Sequence, residues 1–165
     1  MEMDRIMLLS EDAYRKIEKE LAKFPPTKKL SAAIAALTIA QEEKGWLSPE
    51  ILQEVADYLK VPATALKEVA SFYSMFNTHP VGRYKLSVCG NLPCEMNGSG
   101  RLADYLKEKL GIGFGETTPD GLFTLVESEC MGACGEGPVI LVNNHVMHMH
   151  MSKEKVDRLL EELRT

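Results

Sequence analysis

Val88-Cys89-Gly90-Asn91-Leu92-Pro93-Cys94 and Glu129-Cys130-Met131-Gly132-Ala133-Cys134-Gly135-Glu136-Gly137-Pro138 together hold all four cysteines of the chain, and the rest is read outward from them. The first loop is a C-x4-C unit and the second a C-x3-C unit, with 35 residues between them. That interval holds a helix and a strand but not another domain. Two short-range thiol pairs brought together by a fold point to a four-thiolate metal site on Cys89, Cys94, Cys130 and Cys134.

Structural zinc is usually gripped by symmetrical C-x2-C knuckles, and neither loop is one. A 2Fe–2S cluster needs only two thiolates per iron, so wider, unequal loops suit it. Two ferric ions, two sulfides and four thiolates sum to −2, and one-electron reduction makes that −3. Such an anion calls for main-chain N–H groups nearby, and glycine lets the backbone approach. Gly90, Gly132, Gly135 and Gly137 stand where that is needed. The spacing favours an iron–sulfur cluster, and leaves open a zinc-stabilised four-cysteine interaction module and a dithiol or disulfide.

Around these loops the pattern reads as a mixed α/β domain. Tyr84 to Val88 alternates like a strand and delivers Cys89 at its end. Leu102, Tyr105, Leu106 and Leu110 line one helical face, which Gly111 ends. Leu122 to Val126 and Val139 to Val142 read as strands, and Asn143-Asn144 as a hairpin turn into a fourth, Val146 to His150. Ser152 caps a last helix with Val156, Leu159, Leu160 and Leu163 inward. Gly111 to Gly115 follows a helix rather than joining a strand to one, which argues against a phosphate loop. His148 and His150 would share a strand face, and are read as solvated or structural rather than as metal ligands.

The first eighty residues are helical. Ser10 opens a helix marked by Tyr14, Ile17 and Leu21, and Pro25-Pro26 stops it. Leu30, Ala33, Ile34, Leu37 and Ala40 mark a second, ended by Gly45. Ser48-Pro49 starts a third, with Ile51, Leu52, Val55, Ala56 and Leu59 inward. Pro62 begins a fourth on Leu66, Val69 and Ala70. The expected organisation is a small helical bundle over residues 1–79 and a cluster-bearing domain over residues 80–165. The run Phe72-Tyr73-Ser74-Met75-Phe76 reads first as core packing and second as a partner contact.

The 165 residues, 45% of them hydrophobic, suffice for a real core, and a net charge of −5 argues against nucleic acid. No run approaches 18 apolar residues, so no membrane insertion is expected. Met1 to Arg5 is acidic and Ile6 to Leu9 too short for a signal-peptide core, which points to a cytoplasmic, reducing location.

Val88-Cys89 with Cys94, Glu129 to Cys134, Ser71 to Phe76, Pro80 to Tyr84 and Gly115 to Gly121 resemble one family over nearly the whole chain from about Leu30. It is the small 2Fe–2S subunit of the NADH-oxidising module of respiratory complex I (NADH:quinone oxidoreductase). Gly137 departs from it, since the family often has alanine there. The resemblance implies a thioredoxin-like fold without the Cys-x-x-Cys of a true thioredoxin. It also implies one 2Fe–2S cluster on the four cysteines and a flavoprotein partner that carries FMN and oxidises NADH. This chain would be an electron-transfer subunit, peripheral to the cytoplasmic face of the inner membrane through its partners, with no nucleotide or substrate site of its own. The same family includes the equivalent diaphorase subunits of NAD-linked hydrogenases and formate dehydrogenases.

Overall fold

Ser10, Ser48 and Ser152 each place a hydroxyl at the start of a helix, where it accepts a main-chain N–H three residues on. These caps set the boundaries of three of the seven α-helices in the computed structural model, which describes residues 7–165. The acidic stretch Met1 to Arg5 and Ile6 lie outside the described residues. By its internal contacts the chain divides into two units, Met1–Pro80 and Val81–Thr165.

The first unit contains α1 (Glu11–Leu21), α2 (Ala33–Lys44), α3 (Pro49–Leu59) and α4 (Ala63–Phe72). Its core joins Leu9, Ile17, Leu37, Leu47, Val55, Leu59, Leu66 and Phe76. Ala33, Ala36 and Ala40 are buried on α2, and their small side chains let neighbouring helices approach closely. Tyr14 Oη donates to Glu54 Oε1 at 2.6 Å, which ties α1 to α3. The expected stripe on the second helix is only partly right. Leu30 sits in a 3-10 turn, Lys29–Ala32, and is exposed, as is Ile34. Ala33, Leu37 and Ala40 of that stripe are buried as expected, and Ala36 joins them.

The aromatic run divides within this unit. Phe76 is buried in the bundle core with Met75 packed against it, whereas Phe72 is 80% exposed.

The second unit is a four-stranded mixed sheet of β1 (Tyr84–Cys89), β2 (Phe123–Ser128), β3 (Ile140–Val142) and β4 (Val146–His148), in the order β2-β1-β3-β4. β1 pairs parallel with β2 and antiparallel with β3, and β3 pairs antiparallel with β4. Asn143 and Asn144 both take positive φ in the tight β3–β4 turn, as the hairpin reading expects. Besides the short α5 (Leu92–Met96), two longer helices, α6 (Ser99–Leu110) and α7 (Lys153–Arg164), supply Leu102, Leu106, Val156 and Leu160 to a core with Leu86, Val88, Phe123, Leu125 and Ile140. The fourth strand ends at His148, short of the expected His150, whose backbone turns left-handed at φ 48°. None of the helices among the described residues is long and apolar enough to cross a membrane.

Strand alternation does the positioning. Leu86 and Val88 face the helices, so Cys89 faces the other way. There it joins Cys94 and Val139 in a small separate cluster, with Met131, Ala133 and Met147 packed around it.

Candidate metal centre

Each cysteine pair is set by its own local structure. Cys89 ends β1, the most enclosed strand, and is buried. Asn91 then turns the chain into the five-residue helix α5, with Pro93 in its first turn, and Cys94 is its one buried residue. In the sequence Cys94 reads as a loop residue, because five residues are too few to show a helical period. In the second loop, Gly132 takes φ +75°, a conformation that side-chain-bearing residues rarely adopt. That turn lets the Gly132 N–H donate to Cys130 Sγ at 3.4 Å. Cys134 begins a short 3-10 turn, and both Cys130 and Cys134 are exposed.

The four thiols come together. Cys130 Sγ and Cys134 Sγ are 3.7 Å apart. Cys94 is hydrogen-bonded to Cys89 and close enough to Cys134 to feel its charge, and Cys134 in turn feels Cys89. Burial, reinforced by Cys89, pushes the Cys94 thiol up to about 11. The Cys134 thiol is raised chiefly by its bond to Cys130. Without metal these two thiols therefore hold their protons at neutral pH, and a metal must displace them.

The donor set fits a binuclear cluster. A single zinc needs four donors around one point, whereas two bridged irons need two donors each. Two thiolates about 2.3 Å from one tetrahedral ion lie about 3.8 Å apart, which matches the Cys130–Cys134 separation. Cys89 and Cys94 are the buried pair, packed with Val139 and Met147 in a small apolar cluster.

Of the glycines expected to admit the backbone, two are crowded. A Cβ on Gly137 would fall 3.3 Å from Cys94 Sγ, and one on Gly90 would fall 2.7 Å from Glu127 Oε1. Gly132 is required by its backbone, whereas Gly135 has open space on that side.

Several supports lie outside the sequence reading. Asn91 Nδ2 donates to Glu129 Oε2 at 3.2 Å and links the two cysteine loops. His150 Nε2 sits 2.6 Å from Glu136 Oε2, and the His150 N–H donates to the Glu136 carbonyl at 2.8 Å, which fastens the segment after Cys134. The structural reading of His150 thus gains a specific partner. No local signal in the sequence announces such pairs, since their members lie 38 and 14 residues apart.

Comparison with known proteins agrees with this geometry. A family model described as thioredoxin-like [2Fe-2S] ferredoxin matches residues 17–164, a span that includes all four cysteines. A Thermus thermophilus protein named NADH-quinone oxidoreductase subunit 2 is 41% identical over 148 residues, covering 90% of this chain and 82% of the relative. A Rhizobium meliloti protein, also named as a subunit of NADH-quinone oxidoreductase, is 43% identical, covering 90% of this chain and 86% of the relative. The crystal structure of an NAD+-reducing [NiFe]-hydrogenase in the air-oxidised state superposes with a TM-score of 0.67 at 23% identity. That match covers 78% of this chain but only 22% of the other, and the likeness is one of fold. Of the readings that the cysteine spacing leaves open, the family match supports the 2Fe–2S cluster. On both sequence and fold, the chain belongs to the thioredoxin-like [2Fe-2S] ferredoxin family.

Proposed function

We propose that this chain is the electron-transfer subunit of an NADH:quinone oxidoreductase, with one 2Fe–2S cluster held by Cys89, Cys94, Cys130 and Cys134. Its exchange partner is the FMN of a flavoprotein subunit that oxidises NADH. The observation that carries this reading is the gathering of four thiols from two loops, one pair buried and the other exposed. Relatives 41% and 43% identical, named as subunits of NADH-quinone oxidoreductase, favour this parent complex over a hydrogenase, to which the likeness is structural at 23% identity.

When bound, the cluster supplies a one-electron store, which complements a flavin that receives two electrons at once as hydride. The chain's own residues do the rest. Cys89 and Cys94, backed by Val139, exclude water from the inner side and hold the site rigid against the sheet. The Gly132 N–H donates to Cys130 Sγ, a hydrogen bond to a ligand sulfur that tunes the potential. Exposed Cys130 and Cys134 leave one side of the site open to a partner. The unit from Val81 onward carries every ligand, and the helical unit before it serves as an anchor to the flavoprotein subunit. Through such partners the chain sits peripherally at the cytoplasmic face of the membrane.

The test is a stopped-flow reaction between this chain, with its cluster reduced by dithionite, and the flavoprotein subunit with oxidised FMN. The reading predicts bleaching of the flavin absorption in step with reoxidation of the cluster. A stable complex of the two in which no electron passes would contradict it.

A further inference from the structure

β1 carries a lysine on the same face as its cysteine. Leu86 and Val88 turn to the helices, so Lys85, Ser87 and Cys89 lie along the opposite face. At about 3.3 Å of rise per residue, the Cα atoms of Lys85 and Cys89 are about 13 Å apart. Lys85 is only 5% exposed, and its neighbours Ser87 and Thr124 are buried as well. Burial pulls the Lys85 ammonium below the ordinary lysine range. Lysine is among the residues least often buried, because its charge is costly to remove from water.

The other strands add no charge to that face. β2 brings Thr124, Val126 and Ser128 to it, β3 brings Leu141, and β4 brings Met147 opposite Leu141. Glu127 pairs with Val88 and His148 with Ile140, both of which face the helices. Lys85 is thus the one charged side chain that the four strands set on the face of Cys89. The cluster proposed on Cys89 carries −2 when oxidised and −3 when reduced. A fixed cation on its side of the sheet therefore attracts the reduced form more strongly, and salt screens a buried charge little.

We propose that Lys85 helps to set the reduction potential of the cluster, its buried positive charge favouring the reduced state. The inference rests on the cluster assignment argued above and adds to it a residue that is not a ligand. The Gly132 N–H acts on one sulfur, whereas Lys85 acts through space on the net charge of the whole cluster. Reduction adds one electron to the cluster and leaves Lys85 chemically unchanged. At an effective dielectric of about 20, one elementary charge about 13 Å away changes the ratio of reduced to oxidised cluster by about tenfold. For a one-electron couple that is about 59 mV.

The experiment is a redox titration of the full, cluster-loaded chain at neutral pH, read by electron paramagnetic resonance of the reduced cluster at low and high salt. It compares the wild type with Lys85→Met, Lys85→Gln, Lys85→Arg and Lys155→Met, the last removing an exposed lysine from α7. Absorption spectra check that each variant keeps its cluster, and Lys85→Gln carries the comparison should Lys85→Met lose it. The expected result is a more negative potential in Lys85→Met, by about the tenfold ratio above, that persists at high salt. Lys85→Arg and Lys155→Met should titrate with the wild type. A neutral Lys85 variant that titrates with the wild type overturns the role of Lys85 and leaves the cluster standing. So does a shift of the same size in Lys85→Arg, which would trace it to packing, or in Lys155→Met, which would trace it to net charge. A shift that vanishes at high salt overturns the role of a buried charge. A wild type that takes up no electron overturns the cluster assignment, and this inference with it.

Discussion

Cys130 Sγ lies 3.7 Å from Cys134 Sγ, the separation of two thiolates on one tetrahedral iron. Each loop is therefore predicted to serve its own iron, Cys130 with Cys134 on one and Cys89 with Cys94 on the other. A crystal structure of the cluster-loaded protein checks this. Irons each bound by one cysteine from each loop would refute it.

The proposed division of labour gives a second expectation. A chain that starts at Val81 should still bind iron and keep its colour, because all four ligands and the sheet core are present. Its association with the flavoprotein subunit should be weaker than that of the full chain. Equal affinity in a pull-down would remove the anchoring role of the helical unit.

Phe72 and Phe76 lie four residues apart yet differ in environment. Phe76→Ala should cost the helical unit about 3 kcal/mol or more, because it empties a packed position. Phe72→Ala, at 80% exposure, should change stability by less than about 0.5 kcal/mol. Urea unfolding of the full chain distinguishes them. Equal losses would contradict the placement of the run.

Gly82 and Gly135 form a similar contrast. A Cβ on Gly82 would fall 2.9 Å from the Gly121 carbonyl oxygen and 3.0 Å from the Leu122 backbone, neither of which yields easily. Gly82→Ala should destabilise the cluster domain by about 1–3 kcal/mol, the usual range for overpacking. Gly135→Ala, with open space, should be near neutral. Thermal unfolding of both variants provides the measurement, and a neutral Gly82→Ala would count against this backbone approach.

Asp157 joins α7 to α6 by accepting from Lys109 Nζ at 2.8 Å and Tyr105 Oη at 2.9 Å. Lys109 first, then Tyr105, holds its carboxyl below the usual carboxylate range. A folded-state value below the unfolded one means stability that is present above the unfolded value and lost as pH falls through the folded one. Asp157→Asn should therefore lower Tm at neutral pH, and its difference from wild type should close as pH drops well below about 3.9. A difference that does not vary with pH would show that charge is not the cause.

What the sequence reveals divides along physical lines. Capping hydroxyls at Ser10, Ser48 and Ser152, the Asn143-Asn144 turn and the paired cysteine loops are legible because each is decided by a few neighbouring residues. The parallel pairing of β1 with β2 is not, since Tyr84 and Phe123 meet across two helices and a long connection. Leu30 and Ile34 fit a helical period, but Leu30 falls in the 3-10 turn before α2 and Ile34 stays exposed beside the buried Ala33 and Leu37. The exposed Leu92 and Met96 escape notice because apolar residues in a sequence are first assigned to a core. Their exposure follows only once Cys94 is seen to occupy the buried side of a single short helix.

The most direct test of the central claim is the iron and acid-labile sulfide content of the anaerobically purified full chain. The expected result is about two irons and two sulfides per chain, as a single 2Fe–2S cluster requires, falling sharply when Cys130 is replaced by serine. Stoichiometric zinc without labile sulfide would contradict it.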